Sequence, residues 1–171
     1  MPTVAELAWL AGYLDGEGSV GIARNKNTMI PVVQLSTTCP RAAERVQDIM
    51  EPIIGRVPSY TYEERDPAKH RDAIYLRATG MRRVKPLAEA MIPYAVTKLP
   101  NWQLILEFVN IRLERFGVDE KGNIKRGGNH LERGYGERET EIYRAIRSLN
   151  ARGPQSETRQ PPRLRSAVGA N

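Results

Sequence analysis

Residues Leu10–Gly18 read LAGYLDGEG, and this stretch constrains the fold more than any other part of the sequence. The segment AELAWLAGYL contains no proline and few β-branched residues, which predicts an N-terminal helix. A glycine inside a helix costs about 1 kcal/mol relative to alanine. Nevertheless Gly12 lies within this helix, and Gly16 follows between the carboxylates of Asp15 and Glu17. This costly combination indicates that the end of the helix has a function.

Helical spacing divides the N-terminal helix into two stripes. One is apolar and should pack on the protein's own sheet: Leu7, Leu10, Ala11 and Leu14. The other holds only small residues, with Trp9 and Tyr13 at its sides: Ala5, Ala8, Gly12 and Gly16. Small residues let a second helix approach closely, and no other helix of the chain carries a matching stripe. We therefore expect a two-fold symmetric homodimer in which this helix packs against its mate. The expected interface residues are Ala8, Gly12, Tyr13, Asp15 and Gly16. The alternative is that the stripe packs against a bulky neighbour within the chain.

The composition narrows the class of partner. Among 171 residues, 26 Lys and Arg stand against 20 Asp and Glu, a net charge of +6. A basic balance suggests a nucleic-acid partner, although it is also compatible with a merely basic surface. A single cysteine, Cys39, excludes an internal disulfide and a cysteine-based zinc site. No apolar run is long enough for a membrane span, and the N-terminus lacks a secretory pattern. We expect an intracellular protein.

The order of the elements predicts an α+β fold with one antiparallel sheet. After the first helix come a hairpin, a helix, a second strand pair and two helices: Ser19–Asn25, Ile30–Thr37, Pro40 to near Gly55, about 57–64, Ala73–Ala78, Met81–Met91 and Pro100–Glu114. The helices should cover one face of four strands and leave the other open. Residues 1–116 form the expected core domain. Residues 117–150 should hold a loop and a C-terminal helix packed on the core, and residues 151–171 a disordered basic tail.

The two carboxylates that end the first helix predict a metal site. A two-fold axis at the small stripe would bring two copies of Asp15 and Glu17 together, and the like charges would repel without a cation. Mg²⁺ suits few carboxylates plus phosphate oxygens and water, and Mn²⁺ or Ca²⁺ could substitute for binding. A divalent ion between DNA phosphates can activate water and stabilise a leaving oxygen.

At this point the motif resembles the signature of the LAGLIDADG homing endonucleases. The matching residues are Leu10, Ala11, Gly12, Asp15, Gly16 and Gly18, with acidic Glu17 where the family usually has Asp. SVGIARN resembles the family's first strand, and the element order agrees to about Glu114. The resemblance implies an αββαββα core with a saddle-shaped, four-stranded antiparallel sheet. It also implies a homodimer that makes metal-dependent double-strand breaks in a long pseudo-palindromic DNA.

The same resemblance implies roles for individual residues. Glu17 would be the metal ligand, and the backbone carbonyl of Gly16 would add a contact. Asp15 would stabilise the helix end and the dimer interface. Lys98 would order the attacking water, and a polar residue at the end of the second strand, Thr37 or less favourably Gln34, would assist.

The open face of the sheet would lie in the major groove, with alternate side chains reading bases. If Val20 and Ile22 face the core, their neighbours face DNA; on the fourth strand Ile74, Leu76 and Ala78 should point inward. The expected base-reading residues are Ser19, Gly21, Ala23, Asn25, Gln34, Ser36, Tyr75 and Arg77. Arg24 breaks the alternation and should contact phosphate at the strand end.

Two functional hypotheses follow. The first is a site-specific DNA endonuclease with no small-molecule substrate and no membrane partner. The second is a cleavage-silent DNA-binding regulator or intron-RNA splicing maturase on the same scaffold. A histidine-type nuclease is disfavoured, because the chain has only His70 and His130.

Overall fold

The computed structural model describes residues 1–25, 28–62, 72–117 and 134–151. These residues form helices and strands in the predicted order: α1 Val4–Glu17, β1 Gly18–Asn25, β2 Thr28–Thr37, α2 Pro40–Ile54, β3 Ser59–Tyr62, β4 Ala73–Thr79, α3 Met81–Met91, α4 Leu99–Phe116 and α5 Glu137–Asn150. The end of the predicted third strand, the loop 118–133 and the tail 152–171 lie outside the described residues. No helix in the described ranges is long and apolar enough to cross a membrane.

The strands form an antiparallel sheet in the order β1-β2-β4-β3, with β3 a short fourth strand at the edge. Val20 lies opposite Val33, which lies opposite Ala78 on the other side. Gln34, one residue further along, is paired with Ser19 and Arg77. The predicted α+β class and antiparallel sheet are confirmed. The saddle curvature stays a prediction.

The alternation along the strands sends one set of side chains into the core. Val20, Leu76 and Ala78 are buried in the same apolar cluster as Leu10 of α1 and Trp102 of α4. Successive strand residues point to opposite faces, so Ser19, Gln34 and Arg77 lie on the other face. The predicted division of the strands into core-facing and outward residues is therefore confirmed.

Helix α5 departs from the expectation that one face is left fully open. A Cβ added to Gly21 would lie 3.3 Å from Asn150 Nδ2 and 3.8 Å from Ile146 Cγ2, so the end of α5 covers β1 on the outward face. The carbonyl of Val20 accepts hydrogen bonds from the side chains of Asn150 and Asn101, at 3.0 and 3.3 Å. Because Gly21 has no side chain, the end of α5 packs directly on this edge strand.

Candidate catalytic site and nucleic-acid interface

Helix α1 carries both acidic residues of the motif within its last turn. It begins at a capping box between Thr3 and Glu6 and continues through both glycines to Glu17. No basic residue lies in its last turn. Carboxylates at the negative end of a helix dipole are unfavourable unless cations or N–H donors compensate them. The surroundings of Asp15 and Glu17 therefore decide what each can do.

Asp15 ties the end of α1 to the start of α4. Its carboxylate accepts backbone N–H groups from Val96, Thr97 and Lys98, at 2.7, 2.9 and 3.0 Å. Burial by itself raises the pKa of the Asp15 carboxyl. The three N–H donors and the Lys98 ammonium together lower the pKa by more than burial raises it, so the pKa lies below its ordinary value. Asp15 is thus a compensated carboxylate within its own chain.

Lys98 lies against the same helix end. Its ammonium donates to the backbone carbonyl of Asp15, an acceptor left free where the helix terminates. Burial lowers the pKa of the Lys98 ammonium, and the carboxylates of Asp15 and Glu17 offset this only in part. The structure therefore brings the lysine and both acids of the motif together, although 83 residues separate Lys98 from Asp15 in the chain.

Glu17 is the acid of the pair that accepts no hydrogen bond from the described residues. It is exposed and makes no hydrogen bond or ion pair with any described residue. The described part of one chain holds no group of three or more His, Cys, Asp or Glu side chains able to bind a metal. The Glu17 carboxylate and the Gly16 carbonyl, also at an exposed position, are hard oxygen donors of the kind that Mg²⁺ prefers. This donor set fits a divalent cation, but only as part of a site that other groups complete.

Thr37 lies on the side of the sheet that faces the core and α1, whereas Gln34 lies on the outward side. The Thr37 hydroxyl oxygen accepts a hydrogen bond from Tyr13 of α1 at 3.0 Å and from the Cys39 backbone N–H at 3.2 Å. Thr37 is therefore held next to α1, one turn before Glu17. Gln34 lies instead among the outward residues of β1 and β4.

No described residue of the chain covers the small-residue stripe of α1. Ala5, Ala8, Gly12 and Gly16 are all exposed, and a Cβ added to either glycine would have no heavy atom within 4 Å. Beside the stripe, Tyr13 stacks on Trp9 with ring centroids 5.1 Å apart. The alternative of a bulky neighbour within the chain is therefore wrong for the described residues.

Many of the predicted base-reading residues line one groove of about 450 Å³ on the outward face. The strands contribute Ser19, Gly21, Ala23, Gln34 and Arg77 to this outward groove. Helix α5 contributes Ile146, Arg147 and Asn150, none of which sequence reasoning assigned to the site. Their only signal in the sequence is a basic, polar end to the last predicted helix. Gly21 has the expected orientation, but it is buried beneath α5.

The remaining predicted contacts lie around this groove. Ser36 and Tyr75 are half-buried and opposite each other, and Asn25 is exposed at the end of β1. Arg24 is exposed despite its core-side parity, with its guanidinium carbon 5.7 Å from the ring centroid of Tyr143 in α5. The Arg24 side chain therefore does not enter the core and lies at the edge of the sheet, near α5.

Comparisons with known proteins agree on the fold. The model of a family described as "LAGLIDADG-like domain" matches residues 5–91. No curated protein matches the chain. A crystal structure of LAGLIDADG homing endonuclease I-GzeII in complex with its DNA target is similar with a TM-score of 0.51 and 12% identity, over 85% of this chain and 43% of that one. LAGLIDADG meganuclease I-CpaMI, bound to uncleaved DNA, has a TM-score of 0.50 and 16% identity, over 88% and 54%. At these identities the likeness concerns the fold.

Proposed function

The chain belongs to the family of LAGLIDADG-like domains, and we propose that it is a homing endonuclease that cuts both strands of a long pseudo-palindromic DNA as a homodimer. The observation that carries this proposal is Glu17, an exposed carboxylate with no ion pair among the described residues, at the end of an exposed glycine stripe, with Lys98 against the same helix end. A helix end of this kind suits a site shared between two chains.

The dimer would form by α1 packing against its symmetry mate. The stripe exposes Ala8, Gly12 and Gly16, with no described residue over the glycines, and Val4 beside it is 67% exposed. Burying such apolar surface favours association, and a two-fold axis makes one patch its own complement. Tyr13 and Asp15 would lie at the margin of this interface. The same packing would bring the two copies of Glu17 together.

The residues at this interface would hold a divalent cation. Glu17 and the Gly16 carbonyl, each from both copies, would bind Mg²⁺, with Mn²⁺ or Ca²⁺ as substitutes for binding. When bound, the ion supplies a Lewis acid that activates water and stabilises the leaving oxygen. Lys98 would orient the attacking water and screen phosphate charge. Thr37, fixed by Tyr13, or Gln34 on the outward face would supply a further polar contact.

The outward face of the sheet would read the DNA. Ser19, Ala23, Gln34 and Arg77 share one groove with alternating, outward side chains, the arrangement in which a β-ribbon reads base edges in the major groove. Ser36, Tyr75 and Asn25 would extend the contact along the sheet. Arg24 would contact phosphate. Arg147 at the wall of the groove would be a further basic side chain for contact with the DNA backbone.

The test is the variant Glu17→Gln with a pool of long random-sequence duplexes. The wild type should select a DNA and cut both strands when Mg²⁺ or Mn²⁺ is added. Glu17→Gln should bind the selected DNA nearly as well and cut none, because phosphate contacts over the whole face dominate affinity. Glu44→Gln, an exposed acid on α2, is the matched control and should cut normally.

Two results would contradict the proposal. Equal loss of binding and cutting in Glu17→Gln would remove Glu17 from the metal site. A wild type that binds the selected DNA but never breaks it with either metal would instead identify a cleavage-silent regulator or a splicing maturase.

A further inference from the structure

A second cleft lies at the end of the sheet opposite to Glu17. Its volume is about 610 Å³, within the range of small-molecule sites. The start of β2, the end of α2 and the first turn of α3 line it, together with Arg112 and Tyr135. Glu17 adjoins the other end of the strands, where Gly18 pairs with Leu35. The cleft is therefore separate from the proposed catalytic site.

The described residues give this cleft a positive charge. Its lining includes Arg56, Arg82, Arg83 and Arg112, and no aspartate or glutamate among the described residues lines it. Arg112 is paired with Glu139 outside the lining, at 3.0 Å. The other three arginines form no ion pair with any residue in the described ranges. Three arginines that form no ion pair with a described residue thus line one concave surface.

The first turn of α3 adds backbone donors to the same cleft. Its N-cap is Gly80, at φ +84°, which provides no side chain to accept the first N–H groups. The first turn contains no acid and instead carries Arg82 and Arg83. Cations at the positive end of a helix are unfavourable, whereas an anion there would accept N–H groups that have no helical partner. Within the described residues, the lining around this helix start supplies no negative group.

Arg112, which also lines the cleft, has a buried donor without an acceptor among the described residues. Its side chain is 8% exposed, and its Nε, fully buried, has no hydrogen-bond partner in the described part of the chain. Its Nη1 donates to Glu139 and to the Gly134 carbonyl, and the rings of Phe116 and Tyr135 lie within 4.5 Å of the guanidinium carbon. A buried donor without an acceptor is costly, and this one belongs to a residue that lines the cleft.

We propose that the cleft binds a phosphate group, held by Arg56, Arg82 and Arg83 and by the N–H groups of the first turn of α3. Arginine forks match the oxygens of phosphate in pairs. The cleft is larger than one phosphate, and Met29, Ile54 and Met81 give it an apolar lining for whatever the phosphate is attached to. The phosphate comes either from the DNA backbone or from a small phosphorylated molecule.

Thermal unfolding in inorganic phosphate, at ionic strength matched with chloride and without divalent metal, tests the site. Phosphate should raise the Tm of the wild type saturably, as a ligand of the native state does. Arg83→Gln and Arg82→Gln should each raise the phosphate concentration at the titration midpoint about tenfold or more. Arg41→Gln, which removes the same charge from the exposed first turn of α2, should leave the midpoint unchanged.

A second arm of the experiment identifies the source of the phosphate. If a saturating DNA duplex abolishes the phosphate titration, the site takes a DNA phosphodiester. If the titration is unchanged with duplex bound, the site takes a small phosphorylated molecule, and either result supports the site. No saturable rise in Tm, or equal midpoints in the wild type and Arg83→Gln, would overturn the proposal whether or not the protein cuts DNA.

Discussion

Two acids that are one residue apart at the end of α1 have opposite surroundings. Asp15 accepts three backbone N–H groups from the residues before α4, whereas Glu17 accepts none from the described chain. A carboxylate that is already saturated with donors is a poor metal ligand, and an unpaired exposed one is free to bind. This difference supports the proposal that Asp15 joins two helices and Glu17 holds the metal.

Asp15→Asn tests the first of these roles, measured by urea unfolding with a chelator present. Because its folded-state pKa is below the ordinary value of 3.8, ionised Asp15 contributes stability above that pH. The contribution is lost as the pH falls through the lowered folded-state pKa. At neutral pH the variant should be about 1–2 kcal/mol less stable, as for a lost helix cap. A difference that does not shrink as the pH is lowered below 3.8 would show that the charge is not the cause.

Lys98→Ala tests the electrostatic role at the same helix end. We expect cleavage roughly a hundredfold slower, as when one supporting donor is removed from a transition state. Calcium-dependent DNA binding should be nearly unchanged, because Glu17 remains. Lys98→Arg, which keeps the charge, should recover part of the rate. An unchanged rate in Lys98→Ala would exclude Lys98 from the site.

At the scale of the element, α1 is both a core helix and the proposed dimer surface. Leu10, Ala11 and Leu14 are fully buried in the chain's own core, while the opposite stripe exposes Gly12, and a Cβ built there has no described atom within 4 Å. The two faces can therefore be changed independently. A large residue on the stripe should therefore alter the proposed association without disturbing the core.

Gly12→Leu should weaken the dimer while leaving the isolated chain folded. The chain has room for the side chain, and replacing a helical glycine should raise monomer stability by about 1 kcal/mol. In the dimer the added atoms would clash twice across the axis. Sedimentation velocity should show a monomer, and cleavage should be lost. Ser148→Leu, on the exposed side of α5, is the control for an added apolar side chain.

If Gly12→Leu remains a dimer that cuts DNA, the stripe is not the interface. If it unfolds as an isolated chain at low protein concentration, the stripe has an intramolecular role that the described contacts do not explain. Either result would contradict the proposed use of α1.

At the scale of the whole molecule, a two-fold dimer would present two outward grooves related by 180°. Each groove would read one half of the DNA, so the selected site should consist of inverted half-sites. Rearranging the halves as a direct repeat should reduce affinity by at least about a hundredfold, because one copy then meets mismatched bases. Gel-shift titrations at one salt concentration measure this. A protein that sediments as a monomer with and without DNA would contradict the dimer.

The sequence by itself determined the order of the elements and the orientation of the strand residues. The alternation of Val20 and Ile22 with Ser19 and Ala23 predicted which face is buried, and the bounds Met81–Met91 of α3 agree with the structure. These features depend on near neighbours in the chain, because the period of a side-chain pattern follows from local backbone geometry. The acidic end of α1 was evident for the same reason.

Only the tertiary structure decided which distant residues meet. It brought backbone N–H groups from the residues just before α4 to the Asp15 carboxylate. It also placed the end of α5 over Gly21, which reduces the open area of the outward face. It also gathered Arg56, Arg83 and Arg112 around one cleft. None of these contacts has a local pattern, because each joins elements that are brought together by sheet pairing and by burial of a common core. The neighbours of a polar side chain depend on that packing, whereas its own identity depends only on the sequence.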